Sequence, residues 1–271
     1  MHGVRRCHTT AWAWLFSSVA CPAWGADAPA PRVDTPSPAP AMTVDPRVPE
    51  ASKAAVRSHM ERFAAVEDVG SFASALQAAE ALASSLDEPL QALHTDVHCT
   101  EANLDLEIPG LDVHCVAEGT MAHATLPLDP WRALAATTPG RADDDLVALN
   151  ATAYRAMSAE SFPVWMVQTW DYGGCSALGT GKVVDILIAT DRALMSGSEV
   201  FAAQIARVRT GALGEFSERH SQYCSGQDPM PHAQLTQEAD RILNEVNLSD
   251  AEREAVTAWK PKLIGERFTG G

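Results

Sequence analysis

The chain has 271 residues, of which 35 are acidic and 20 are basic, and its formal net charge is −15. This excess of carboxylates argues against a protein that grips nucleic acid, because phosphate backbones are bound by clustered lysine and arginine. The hydrophobic fraction of 46% is that of a globular chain with a core, and the aromatic fraction is only 6%. Alanine, leucine and valine must therefore fill much of that core, a composition that suits closely packed helices.

The first residues have the order of a secretory signal peptide. Arg5 and Arg6 precede a short apolar run, residues 11–20, and small residues follow it. We therefore expect residues 1–25 to be removed and the mature protein to be periplasmic or secreted, with no transmembrane segment, since no later apolar run is long enough to cross a bilayer. The alternative is a membrane-anchored lipoprotein, because residues 18–21 are similar to a lipobox that would place a lipid anchor on Cys21.

A change of composition marks the start of the folded domain. Residues 26–50 contain seven prolines, which favour extended polyproline II conformation and cannot form a packed core. We predict a disordered linker over 26–50 and a single helical domain over 51–271. A division of that domain near 130–142 is the alternative, because Pro139 and Gly140 interrupt the pattern there.

The apolar spacing predicts a mainly α protein built as an antiparallel array of helices. The first two helices form a hairpin: one covers about 52–68, and the second begins at a Ser71 cap and carries an apolar stripe from Phe72 to Leu86. Ser249 and Glu252 have the spacing of a capping box at the start of the last helix. The remaining helices are predicted over about 143–158, 182–195, 199–223, 233–246 and 249–259.

One segment has strand periodicity instead. Apolar and acidic residues alternate over 104–108 and again over 111–115, and Pro109-Gly110 between them is typical of a turn. The pattern predicts a small β-hairpin with one buried face and one polar face.

The cysteines indicate an oxidised, disulfide-stabilised fold. Four cysteines remain after the signal peptide, an even number that is typical of two disulfides in an exported chain and that allows three connectivities. We favour Cys99–Cys115 and Cys175–Cys224, because cysteines that are nearer in sequence meet more readily. A zinc site made by the four cysteines is disfavoured, since they include no CxxC pair.

The glycine-rich segment 173–182 superficially resembles a phosphate-binding loop. Counted back from Gly181-Lys182, Ser176 stands where the first glycine belongs, and Val183 stands at the Ser/Thr position. We therefore interpret the segment as a structural loop that leads into the 182–195 helix.

The acidity is concentrated in one part of the chain. No lysine or arginine occurs between Arg62 and Arg132, whereas twelve acidic residues do. A surface of a single sign attracts partners of the opposite sign and speeds their association. The alternative interpretation is a solvated face that only keeps the protein soluble. We expect a cationic protein partner to bind six acids of this block: Asp96, Glu101, Asp105, Glu107, Asp112 and Glu118.

The same block holds a candidate metal site. His94, Asp96 and His98 would point to one side of an extended segment, and His114 could join them from a neighbouring strand. Imidazoles and a carboxylate suit zinc, and the acids around them would suit calcium. The bland alternative is the polar face of a strand. Protonation of the block's histidines would also weaken the binding of a cationic partner on acidification: these are His94, His98, His114 and His123.

The sequence contains no motif for a catalytic nucleophile or a cofactor, so we expect binding rather than catalysis. Our leading hypothesis is an exported protein whose acidic surface captures a cationic protein of the cell envelope, as an inhibitor or an immunity-type protein would. The first alternative is a metal-dependent hydrolase that uses the histidine cluster. The second is a helical scaffold that organises envelope components.

Overall fold

The computed structural model describes residues 43–92, 106–116, 121–157, 162–168, 174–196, 199–216, 223–225 and 228–263. The fold is mainly helical with a small antiparallel sheet. Residues from Ala41 onward group into one compact unit. The helices of the described part are α1 (Lys53–Ala64), α2 (Val69–Ala92), α3 (Leu128–Ala135), α4 (Ala142–Ala153), α5 (Lys182–Met195), α6 (Ala202–Leu213), α7 (His232–Glu245) and α8 (Asp250–Trp259).

Most predicted helices are present, with shifted ends. Helix α5 has the predicted bounds, 182–195, and the predicted 199–223 helix is shorter, since α6 ends at Leu213 and passes into a 3-10 turn at Gly214–Phe216. The Ser249–Glu252 capping box is confirmed at the start of α8. Helix α3 was not predicted, and none of the described helices is long and apolar enough to cross a membrane.

Helix α2 buries the predicted apolar stripe, from Phe72 (0% exposed) to Leu86 (0% exposed). Its predicted cap is wrong. The helix begins at Val69, and the Asp68 carboxylate accepts the backbone N–H of Ser71 at 2.7 Å while the Ser71 hydroxyl accepts the N–H of Asp68 at 3.0 Å. The aspartate is better placed, because its carboxylate meets the partial positive charge of the helix N-terminus.

A β-hairpin is present, but the predicted partner of its first strand is wrong. Strand β1 (Asp112–Val116) pairs antiparallel with β2 (Met121–Thr125), and residues 106–108, the described part of the predicted partner, do not pair with it. Leu106 and Ile108 are both buried, with 6% and 4% of their surface exposed. Their burial agrees with the predicted apolar face, but their backbone does not form a strand. They lie in a tight turn, in which Ile108 N donates to Leu106 O at 2.8 Å and Leu111 N donates to Ile108 O at 3.0 Å.

Two short strand pairs complete the described β structure: β3 (Met166–Gln168) with β4 (Gly174–Ser176), and β5 (Cys224–Ser225) with β6 (Asp228–Pro229). An isolated bridge joins Ser176 to Tyr223. Cys175 takes part in a disulfide. The bridge brings the residues beside Cys175 and Cys224 together, which supports the predicted pairing of those two cysteines, although that pairing stays a prediction.

A continuous hydrophobic core joins the helices. At its centre Trp131 of α3 and Phe72 of α2 meet edge to face, with ring centroids 5.5 Å apart, and Phe72 meets Phe201 in the same way at 6.1 Å. Val48 also belongs to this core, with 2% of its surface exposed, so the last residues of the predicted linker are part of the fold.

One arginine joins three helices through hydrogen bonds. Arg209 of α6 donates to Glu252 of α8 at 2.7 Å, to Asp191 of α5 at 2.8 Å, to the Thr190 hydroxyl at 3.0 Å and to the Asn247 carbonyl at 2.9 Å. Only 11% of the Arg209 side chain is exposed. The guanidinium holds the pKa of Glu252 at about 2. Each of these hydrogen bonds is donated by a charged guanidinium, so they are stronger than bonds between neutral groups and hold the three helices together.

Candidate functional site

A groove of about 810 Å³ lies between α1, the turn at 106–111 and α3. Met60 and Phe63 of α1 form one wall, and Ala133 and Leu134 of α3 form the other. The turn supplies the floor. Nearly all of the lining side chains are apolar, so the groove offers a dehydrated surface to a partner that can bury apolar groups.

The turn at 106–111 is fixed by two ring N–H groups that reach successive carbonyl oxygens. His59 Nε2 lies 2.7 Å from Pro109 O, and Trp131 Nε1 donates to Gly110 O at 2.8 Å. Gly110 has a φ of +76°, and a Cβ atom there would lie 2.6 Å from the Phe63 ring. Only glycine therefore fits between the turn and α1.

The charge at the groove is negative. Glu107 is the charged residue among the described groove-lining residues, and it is exposed. Behind it, the Asp45 carboxylate accepts the backbone N–H of Glu107, and the Arg47 guanidinium holds the pKa of Asp45 at about 2. Asp129 and Arg132 form an exposed pair on α3 with a 2.7 Å separation. Since those two acids already have arginine partners, Glu107 is the groove acid placed to meet an incoming cation.

The predicted acidic surface is described only in part. Of the six predicted partner-binding acids, Glu107 lies at the groove and Asp112 is exposed at the start of β1, immediately after the turn. The other four lie outside the described residues: Asp96, Glu101, Asp105 and Glu118.

The predicted metal site is likewise described only at one corner. His114 of β1 stands opposite His123 of β2, with perpendicular rings whose centroids are 6.1 Å apart. The Asp112 carboxylate is 3.8 Å from His114 Nδ1, too far for a hydrogen bond. In the described part of the chain, no three His, Cys, Asp or Glu side chains are grouped to hold a metal ion. The other predicted ligands lie outside it: His94, Asp96 and His98.

The glycine-rich loop before α5 binds an anion from its own chain. The Glu238 carboxylate of α7 accepts the backbone N–H groups of Gly179, Gly181 at 2.9 Å and Val184 at 3.0 Å. Gly179 and Gly181 have φ values of +95° and +86°. These are the donors that a phosphate would use in a nucleotide-binding loop. Because Glu238 fills the cradle, the loop is structural, as the sequence predicted.

A buried carboxyl group lies beneath β4. Glu215 is 1% exposed, and burial raises its pKa to about 7, although the Ser176 hydroxyl donates to its carboxylate. Tyr223 Oη donates to the Glu215 backbone carbonyl at 3.5 Å, and Trp259 Nε1 donates to Tyr223 Oη at 3.3 Å. This group is buried and is not part of the groove lining, so its ionisation affects the stability of the fold and not the contacts at the groove.

Comparisons with known proteins add no identity. The chain matches no family model, and searches of curated proteins and of solved structures return no significant match. The functional reading therefore depends on the groove. Sequence analysis named the Pro109-Gly110 turn for another reason, but it missed His59, Trp131 and Ala133, because their roles depend on contacts between distant segments.

Proposed function

We propose that this protein is an exported binding protein that holds a segment of a cationic protein in the groove. An apolar side chain of the partner enters between Phe63 and Leu134, and a neighbouring lysine or arginine pairs with Glu107. The protein acts by occupancy and not by catalysis, as an inhibitor or an immunity-type protein would.

The observation that carries the proposal is the chemistry of the groove lining, which is mostly apolar and holds one charged side chain, that of Glu107. Interfaces with this pattern take their affinity from buried apolar side chains and their selectivity from charge. The acidic block of the sequence, which includes the exposed Asp112, would attract the same partner from a distance. The disulfide at Cys175 supports an oxidising compartment outside the cytosol.

The binding test uses a short synthetic peptide in which leucine and lysine alternate, labelled for fluorescence anisotropy. Ala133 is exposed on α3 at the groove wall, so Ala133→Arg places a cation and a long side chain where the peptide should lie. We expect this variant to weaken peptide binding by about tenfold or more, because it combines steric exclusion with like-charge repulsion. Ala136→Arg is the matched control, since Ala136 is exposed just beyond α3 and does not line the groove.

A second pair of variants tests the charge. Glu107→Gln should weaken binding about two- to fivefold, the effect of one partly exposed ion pair, and that loss should vanish at high salt. Asp112→Asn changes an exposed acid outside the groove and should alter mainly the association rate. Equal binding by the wild type and Ala133→Arg, or no binding of the peptide at low salt, would overturn the proposal.

A further inference from the structure

His59 is a titratable residue that holds the turn at the floor of the groove through its bond to Pro109. We propose that His59 is a pH-sensitive positioning residue for the groove: the neutral ring holds the 106–111 turn in place, and protonation releases the turn and weakens binding of a cationic segment. This inference rests on the proposed function for its consequence, but its structural part can be tested without a partner.

The hydrogen bond to Pro109 fixes the protonation state that the fold needs. A carbonyl oxygen only accepts, so Nε2 of His59 must carry the hydrogen across the 2.7 Å contact, and Nδ1 of the neutral ring is then unprotonated. Nδ1 is buried and has no hydrogen-bond partner in the described part of the chain, and the residue as a whole is only 1% exposed. A second proton would therefore create a buried N–H group without an acceptor.

The neighbours of His59 do not favour the imidazolium. On α1 the charged side chain that shares its cleft is Arg62, a cation, and Arg62 donates to the Ser74 hydroxyl at 3.2 Å. Helix α2 presents neutral residues to that cleft, among them Gln77 and Ser85. The charged residue of the turn, Glu107, is exposed at the groove. Burial lowers the pKa of His59 from its ordinary value of 6.5, and the bond to Pro109 opposes part of that effect.

The ring position also matters to the groove wall. The rings of His59 and Phe63 are 5.9 Å apart, and Phe63 in turn meets Trp131 edge to face at 5.2 Å. The two N–H groups that hold the turn are thus linked through one aromatic residue that lines the groove. If His59 leaves Pro109, the turn loses one of the two ring N–H groups that hold its carbonyl oxygens, and the groove floor is fixed less firmly relative to α1.

The sign of the effect follows from the lowered pKa. At a pH above 6.5, the ordinary pKa of histidine, the folded and unfolded states both hold a neutral ring. The hydrogen bond from His59 to Pro109, which we call the latch, is then formed. As the pH falls below that value, His59 takes up a proton in the unfolded chain, whereas in the latched state its lowered pKa keeps the ring neutral. Acidification therefore favours states in which the turn is open.

The structural test follows His59 and the turn by NMR and hydrogen exchange. Long-range proton–nitrogen correlations should show the Nε2–H tautomer at about pH 7. The Leu111 amide, which donates to Ile108 within the turn, should lose protection several-fold between about pH 7 and about pH 5, after correction for intrinsic exchange. His59→Gln keeps an N–H donor without a titrating group and should abolish that pH dependence. His232→Gln, which removes another ring near a backbone carbonyl, should leave it unchanged.

The binding test repeats the leucine–lysine peptide titration at both pH values. The wild type should bind several-fold more weakly at the acidic pH and His59→Gln should not. His114→Gln and His123→Gln test the alternative that histidines of the acidic block cause this loss, and we expect both to keep the wild-type dependence. An Nδ1–H tautomer, or equal Leu111 protection at both pH values, would overturn the latch. Equal loss of binding in the wild type and His59→Gln would also overturn it while leaving the groove proposal intact. Failure of the peptide to bind at neutral pH would refute the proposed function, and the exchange measurement would still decide on the latch.

Discussion

Replacing Glu215 by glutamine should stabilise the protein at neutral and alkaline pH. The carboxyl group is 1% exposed, and its described contacts are the Ser176 hydroxyl at the carboxylate and Tyr223 at the backbone carbonyl. Because burial disfavours the charged form, ionisation of Glu215 costs free energy in the folded state that it does not cost in the unfolded chain.

The size of the effect follows from the pKa of Glu215. Folding raises it from 4.5 to about 7, and each unit corresponds to about 1.4 kcal/mol, so the full penalty is about 3 kcal/mol. Below the unfolded value both states are protonated and there is no penalty. As the pH rises from 4.5 to about 7 the unfolded chain loses its proton first, so the free energy of unfolding falls and then levels off. A glutamine amide cannot ionise, but its NH₂ group needs an acceptor, so we expect a net gain of about 2 kcal/mol.

Urea denaturation at about pH 5 and about pH 8 checks this expectation. The Glu215→Gln variant should gain stability over the wild type at the higher pH and show little gain at the lower one. Glu199→Gln, at an exposed glutamate, is the control and should behave like the wild type at both. A Glu215→Gln variant that is destabilised equally at the two pH values would refute the reasoning, since the carboxyl group would then act only through its hydrogen bonds.

Two further predictions concern structural elements. Glu238→Ala should lower the free energy of unfolding by about 3 kcal/mol, because it leaves the backbone N–H groups of Gly179, Gly181 and Val184 to the water of a small adjacent cleft. Glu245→Ala on the same helix should lower it by less than about 1 kcal/mol, since it breaks only an exposed ion pair. Urea denaturation measures both losses, and similar losses in the two variants would contradict the role of the Glu238 carboxylate as acceptor of these N–H groups. Peptide mapping without reductant should recover Cys175 joined to Cys224, and a peptide that joins Cys175 to any other cysteine would refute that pairing.

The parts of the fold that sequence predicted are those determined by local interactions. The Ser249–Glu252 capping box was predicted because both of its partners lie within one helical turn. Helix α5 was predicted because a continuous apolar stripe begins right after Gly181, whose φ is positive. In both cases the local preference and the tertiary environment agree.

The error in the hairpin comes from competition between segments for the same partner strand. Residues 104–108 alternate more strongly than 121–125, yet the second segment pairs with β1 although it contains two alanines, residues of low strand preference. Leu106 and Ile108 are instead used to line the groove. Helix α3 was missed because it has only eight residues and contains Pro130.

For the candidate site, the sequence predicted the negative charge but not the apolar groove. The sequence located Glu107 and Asp112 in an acidic block, and both residues are exposed. The groove itself depends on the contact of His59 with Pro109, fifty positions away along the chain. No periodicity or motif encodes a contact at that separation, so the apolar part of the site emerges only from the fold.

The most direct test of the groove as the binding site is to locate a bound probe. A spin label on the leucine–lysine peptide broadens NMR signals of residues close to it. We predict that broadening centres on Ala133 and Ile108 at the groove and spares His123 on the β1–β2 hairpin. Broadening centred on the hairpin, or spread evenly over the acidic surface, would contradict the account, because the charge would then act without the groove.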